Sequence, residues 1–307
     1  MTAEQLPPVS VIDPVNPALE KVKTILFKPF DLNKWFVIGF CAWLAYLTRG
    51  GFNFNFSYGK HRPDFHFDQF CRQAKNFILE NIYWLIPAVV AIVMLIIILS
   101  LVITWLSSRG RFMFLHCIAL NKAEVKIPWH KFRQHANSLF LFRVVLGIIA
   151  IFSAGLLCIP VFFFVAAMVN SGIGLNIIPL AGVIISSLFL VVLSIIFFLI
   201  QKFTTDFVVP IMFLRTTSCT AAWREFLHVL SSGKKLFILY ILFQIVIAVA
   251  IMVIIFAAVC VTCCCAGCLL SIPYLGAVLM LPLLVFKRAY SLLYFRQFGS
   301  GFDVFAA

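Results

Sequence analysis

The chain has 307 residues, of which 63% are hydrophobic and 11% charged, and its net charge is +13. Soluble domains carry about 45–50% apolar and about 25% charged residues, so this composition excludes a water-soluble fold, a disordered chain and a free nucleic-acid binder. The mean hydropathy of +1.08 points to an all-α, polytopic membrane bundle, because each bilayer crossing needs about 20 apolar residues.

The first 34 residues are polar and hold Pro7, Pro8, Pro14 and Pro17. No small-residue cleavage site follows the first apolar run, so that run is expected to stay as an anchor. Residues 1–16 read as a disordered tail, residues 17–299 as the membrane domain and residues 300–307 as a second tail. Spans are expected at roughly 33–49, 81–107, 139–169, 176–202, 235–261 and 269–291. Two windows fix the count. Val144 to Gln201 contains no Asp, Glu, Lys or Arg, and neither does Leu236 to Phe286. Each is too long for one crossing and suits two. Turns fall near Asn170-Ser171-Gly172 and Cys265-Ala266-Gly267, where glycine and asparagine serve the reversal.

Lys and Arg placement orients the bundle. One side collects 18 of them and the other 5, while Arg143 sits just inside the third span and can snorkel to the basic side. The positive-inside rule then places both termini in the cytoplasm of a cell with an inner membrane. The expected partners are membrane lipids, whose anionic headgroups meet the basic cytoplasmic face. A protein partner or a second copy also fits, and nucleic acid does not.

A surface helix precedes each pair of spans, giving three units at about 17–108, 127–202 and 220–291. Leu19, Val22 and Leu26 fall at i, i+3 and i+7. Trp129, Phe132 and Ala136 repeat that spacing, and so do Trp223, Phe226 and Leu230. Such helices are expected to lie in the interface, apolar side down, with Trp129, Phe132, Trp223 and Phe226 as anchors.

Four segments carry a resemblance: Phe27-Lys28-Pro29-Phe30-Asp31-Leu32-Asn33-Lys34-Trp35, Ser107-Ser108-Arg109-Gly110-Arg111-Phe112, Asp206-Phe207-Val208-Val209-Pro210-Ile211-Met212, and Arg288-Ala289-Tyr290-Ser291-Leu292 with Phe298-Gly299. Across nearly its whole length the chain resembles bacterial six-helix membrane proteins similar to the membrane domain attached to some glycerophosphodiester phosphodiesterases. That resemblance implies an inner-membrane location and no assigned activity. The phosphodiesterase-linked form carries a soluble domain with His-Arg and Glu-x-Asp motifs. Here His61-Arg62 stands alone in a short loop, so no catalysis carries over.

Candidate chemistry is sparse. Cys260, Cys263, Cys265 and Cys268 have paired Cys-x-x-Cys spacing, but one residue separates the pairs, too few to wrap an ion. Helix packing is the expected role, with redox or metal chemistry as alternatives. His61, Asp64, His66 and Asp68 lie in the outer loop as weaker metal candidates. Asp206 follows the fourth span at a depth where a carboxylate needs a partner, and Arg109 and Arg111 are the expected partners, as a clamp or as a gate. There is no Walker loop, Gly-x-Ser-x-Gly or His-Glu-x-x-His motif. Neither an enzyme nor a cofactor is expected. The first reading is a membrane scaffold or accessory protein, and the alternative is a transporter or lipid-handling permease.

Overall fold

The structure, a computed structural model, describes residues 9–49, 81–170, 177–262 and 272–306, together with Gly267, Leu269 and Leu270. Among the described residues every regular element is helical. Helix α1 (Val15–Leu26) leads to α2 (Leu32–Tyr46), whose N-terminus is capped by Asp31 accepting from the Asn33 amide at 2.9 Å. The long α3 (Ile82–Leu120) ends at Asn121, whose left-handed backbone suits asparagine. Then come α4 (Lys126–Lys131), α5 (Arg133–Asn170) and α6 (Ile177–Phe203). A π-helical turn, Thr204–Val208, joins α6 to α7 (Val209–Arg215) without a break. The remaining helices are α8 (Cys219–Ser232), α9 (Lys234–Val261), α10 (Pro273–Leu279) and α11 (Leu281–Arg296).

Among the described residues four helical stretches are long and apolar enough to cross a membrane: α3, α5, α6 with its continuation through α7, and α9. The pair α10 and α11, bent by 65°, makes a fifth if it is counted as one crossing. The bend falls beside Pro282, which can neither donate a helical hydrogen bond nor accommodate the carbonyl four residues earlier. Six crossings of equal standing are therefore not what the helices present. The first expected span becomes α2, which has 15 residues and is about 22 Å long at 1.5 Å per residue. It packs beside the second half of α3. Lys34 Nζ donates to Asn121 Oδ1 at 2.8 Å, while Thr48 lies at hydrogen-bond distance from Ser107, so the two run antiparallel.

Helix α3 also departs from expectation. It continues through Ser107-Ser108-Arg109-Gly110-Arg111 to Leu120 instead of giving way to a loop. Two serines and a glycine make that continuation possible. A Cβ on Gly110 would stand 2.5 Å from the Ala45 nitrogen and from the Leu44 carbonyl carbon, so only glycine lets α2 approach this closely.

The hydrophobic core lies at one end of the molecule, here termed the base. It collects α1, α2, the second half of α3, the start of α5, α7, α8 and α11. Two aromatic clusters fill it. Phe132 stacks on Phe213 with centroids 4.9 Å apart and on Phe112 at 5.8 Å. Phe207 stacks on Phe226 at 5.2 Å and meets Phe237, Tyr240 and Phe295 edge-on or tilted. Both chain ends join this base. The Ser10 amide donates to Gln297 Oε1 at 2.7 Å, and Gln297 Nε2 donates back to the Ser10 carbonyl at 2.9 Å. Val304 is buried, and Phe302 packs on Phe295. Residues 10 and 11 and residues 302 and 304, expected to lie in tails, thus pack on the base.

Away from the base the outer parts of the helices bury little, although α5 and α6 stay paired, with Phe164 packed against Gly182. In the most apolar windows of α3 and α5 no residue is buried, and in those of α6 and α9 the buried share is 6% and 17%.

The expected interfacial anchors are corrected by this core. Phe132 and Phe226 are fully buried in protein, and Trp129 and Trp223 are partly so. Helix α1 likewise turns Ala18, Val22, Ile25 and Leu26 inward, packing on α11, and leaves Leu19 largely exposed. Amphipathic spacing announces an apolar face but does not distinguish lipid from protein as its cover.

Candidate functional site

Asp206 sits in the π turn and is 5% exposed. Lys202, one helical turn earlier, places Nζ 2.5 Å from Asp206 Oδ2, and the Tyr240 hydroxyl donates to the same oxygen at 2.9 Å. Gln244, four residues along α9, donates from Nε2 to the Tyr240 oxygen at 3.1 Å and accepts from Lys202 Nζ at 3.2 Å. The four side chains close a ring of charge-assisted and neutral hydrogen bonds. Such rings hold buried charge without stranding a donor or acceptor.

The π turn also explains a second set of contacts. In i→i+5 bonding the Val209 amide donates to the Thr204 carbonyl. The next carbonyl, Thr205, would receive the amide of residue 210, but Pro210 has no N–H. Arg288 Nη1 takes that place, donating to the Thr205 carbonyl at 2.5 Å. From the other side Arg111 Nη1 donates to Thr205 Oγ1 at 2.8 Å. Three helix segments, α3, the π turn and α11, therefore each send a charged residue into one node: Arg111, Asp206 and Arg288. All three are at least nine-tenths buried. A cavity beside the two arginines, lined also by Ala45, Tyr46, Phe114 and Thr205, is about 10 Å³. That is room for about one water molecule and too little for a substrate.

Arg109 does not join it, contrary to the expected ion pair with Asp206. Its guanidinium sits in the corner made by the perpendicular rings of Trp105 and Trp129, 4.3 Å and 4.6 Å from the ring centroids. On a helix, residues 109 and 111 point about 200° apart, so only one of the two could face the node. Arg111 does so. Arg143, expected to snorkel, instead ties α5 to α3 and to the end of α2. It donates to Thr48 Oγ1 at 2.6 Å and to Ser108 Oγ at 3.0 Å.

Sequence reading missed Lys202, Tyr240, Gln244 and Arg288 as members of this site. The i,i+4 spacing of Lys202 and Asp206 was a readable signal. So was Arg288, placed ahead of an almost uniformly apolar run. Cys260 is exposed on α9, while Cys263, Cys265 and Cys268 lie outside the described residues, as do His61, Asp64, His66 and Asp68. Among the described residues no three His, Cys, Asp or Glu side chains gather as metal ligands.

Outward from the node, α6, α9 and α11 leave a groove of about 510 Å³. Phe198, Ile241, Ile245, Ala248, Val249 and Met252 wall it, and Lys202, Gln244 and Lys287 supply its polar groups.

Comparison with known proteins gives one match. The model of a family described as a family of unknown function (DUF7544) covers residues 9–293. No curated protein and no solved structure matches the chain. Nothing found links it to the membrane domains of glycerophosphodiester phosphodiesterases.

Proposed function

We propose a role for this chain, which belongs to the DUF7544 family of unknown function, as a non-catalytic multi-pass protein of the cytoplasmic (inner) membrane. In this reading the base faces the cytoplasm and acts as a rigid scaffold or accessory platform. The outer helices meet lipid or a partner protein. One observation carries the reading: Arg111, Asp206 and Arg288 are buried in the base, while no residue in the most apolar windows of α3 and α5 is buried by the protein itself. Uncovered apolar surface on that scale is stable only against lipid or another protein.

Six crossings with both termini inside remain the proposed topology, and parity supports it. Ser10 and Gln297 bond to each other, so these two residues share one end of the molecule, which fits an even number of crossings. Four long helices and the bent pair would make five, and α2 is the candidate for a sixth. The excess of Lys and Arg puts the base inside. A cytoplasm-active reporter fused after Ala307 and a periplasm-active reporter inserted between Ser57 and Arg62 should both be active. A periplasmic signal from the C-terminal fusion would reverse the assignment.

The functional test is purification from native membranes in mild detergent, with lipids and proteins identified together. A stoichiometric protein partner, or retained lipid without any flux in reconstituted vesicles, supports the scaffold. The second reading, a transporter or lipid-handling permease, rests on the groove between α6 and α9, and flux of a lipid or solute through vesicles holding the purified protein would favour it.

A further inference from the structure

We propose that Arg109 and Arg133, with Trp105 and Trp129, hold the phosphate of one anionic phospholipid whose acyl chain lies along the outer face of α3. This rests on the membrane reading above and adds the ligand class and the residues that select it.

Arg109 is a cation buried without an anion. It is 7% exposed, and among the described residues it takes part in no ion pair or hydrogen bond. Its Nε is shut off from solvent and meets no acceptor. The rings of Trp105 and Trp129 offset part of the cost of burial by cation–π attraction, but a ring carries no net charge. Nε is the only Arg109 nitrogen closed off in this way, which leaves Nη1 and Nη2 as the edge that an incoming oxygen would meet.

Arg133, the first residue of α5, is near enough to repel the Arg109 charge. It is exposed, and among the described residues it too makes no ion pair or hydrogen bond. Two like charges without a counter-ion attract an anion to the space they share. Guanidinium groups suit a phosphate in particular, because their planar fork of donors matches its oxygens two at a time.

Depth and shape then select a lipid phosphate over a free one. From Ile82 to Ser108 α3 has no Asp, Glu, Lys or Arg, so Arg109 is the first charge met on leaving the apolar run. Tryptophan beside that boundary is the side chain expected at headgroup level. Leu95, Ile98 and Val102 fall on the same face of the helix as Trp105 and Arg109, and all three are largely exposed. From Trp105 back to Leu95 the strip runs about 15 Å, which is half of a hydrocarbon core about 30 Å thick. Free phosphate gains nothing from such a strip, whereas an acyl chain of one leaflet covers it.

The same rings argue against a zwitterionic choline lipid. Aromatic faces are what a quaternary ammonium seeks, and here Arg109 already occupies them. The choline cation would instead meet two arginines.

The test uses the full chain in detergent. Thermal stabilisation and lipid retention by native mass spectrometry are measured with phosphatidylglycerol, with phosphatidylcholine and with inorganic phosphate. Phosphatidylglycerol should bind and stabilise preferentially. Arg133→Gln, at an exposed position, should cut that preference by roughly fivefold, the ratio that attraction to one basic side chain supplies. Arg109→Gln should cut it further. Lys234→Gln, at an exposed basic residue that opens α9, should leave it unchanged. Equal binding of both lipids overturns the site, as does a preference that survives both arginine substitutions. An equal loss in Lys234→Gln also overturns it, leaving a general basic belt. So does stabilisation by inorganic phosphate equal to that by lipid, which leaves a simple anion site. If Arg109→Gln fails to fold, Arg133→Gln against Lys234→Gln decides. Recovery of the wild-type chain in soluble form without detergent would instead defeat the membrane reading itself.

Discussion

The base and the outer helices belong to one chain but are built under opposite constraints. In the base, side chains interlock around buried charge, and a single added methyl group meets backbone. In the first half of α3 and through much of α5, side chains are only partly covered by protein and none in the most apolar windows is buried. The contrast is plainest at glycine. A Cβ on Gly110 would collide with α2, whereas Gly147 and Gly155 in α5 have nothing within 4 Å of that position. The base therefore demands particular residues, and the outer helices demand only that residues be apolar and helical.

This comparison can be broken or sharpened by substitution, and the largest effect is expected at the node. Asp206→Ala leaves Lys202 buried without its carboxylate, and a loss of about 3–5 kcal/mol follows from breaking a buried pair. Lys202→Ala should cost nearly as much, and the double variant less than the sum of the two. Detergent-phase thermal unfolding of the three variants measures the coupling, and additivity would mean that the two charges are solvated separately.

Gly110→Ala should come next, destabilising by about 1–3 kcal/mol because α2 and α3 must separate. Its control is Gly155→Ala, which should be neutral or stabilise by up to about 1 kcal/mol through helix propensity. Equal effects at the two sites would erase the distinction between the regions.

Smaller still is the loss expected for Trp129→Ala, about 0.5–2 kcal/mol for one of the two rings that hold Arg109. Trp129→Phe should retain most of it. If Trp129→Ala weakens membrane attachment while leaving the unfolding temperature unchanged, Trp129 is a lipid anchor after all.

The gentlest probe is chemical. Cys41, Cys117 and Cys219 are buried in the base, whereas Cys158 and Cys260 are exposed on α5 and α9. Burial also pushes the Cys219 thiol up to about 12, so its reactive thiolate is scarce at neutral pH. A membrane-permeant maleimide should label Cys158 and Cys260 and spare Cys219 until the base unfolds. Rapid labelling of Cys219 in the folded protein would show that the base opens.

What the sequence determined by itself is the existence and rough extent of the long apolar helices. Long uncharged windows need no partner to be read, because an unbroken apolar run of that length is specified by composition. The helices α3, α5, α6 and α9 were legible for that reason. Asp206 stood out too, as an acid in apolar flanks. Its partners did not. Lys202 was adjacent on the same helix, but Tyr240 and Arg288 are brought in from α9 and α11 by packing, and Arg109 and Arg111 were equivalent until helix phase and the π turn separated them. The missing N–H of Pro210 matters only because the chain is π-helical there and Arg288 stands opposite. Whether Phe132 and Phe226 meet lipid or protein was likewise undecided by spacing, since a stripe of apolar residues has the same free energy of leaving water into either. Tertiary structure decided these points, because pairing between distant segments depends on angles and distances that periodicity does not encode.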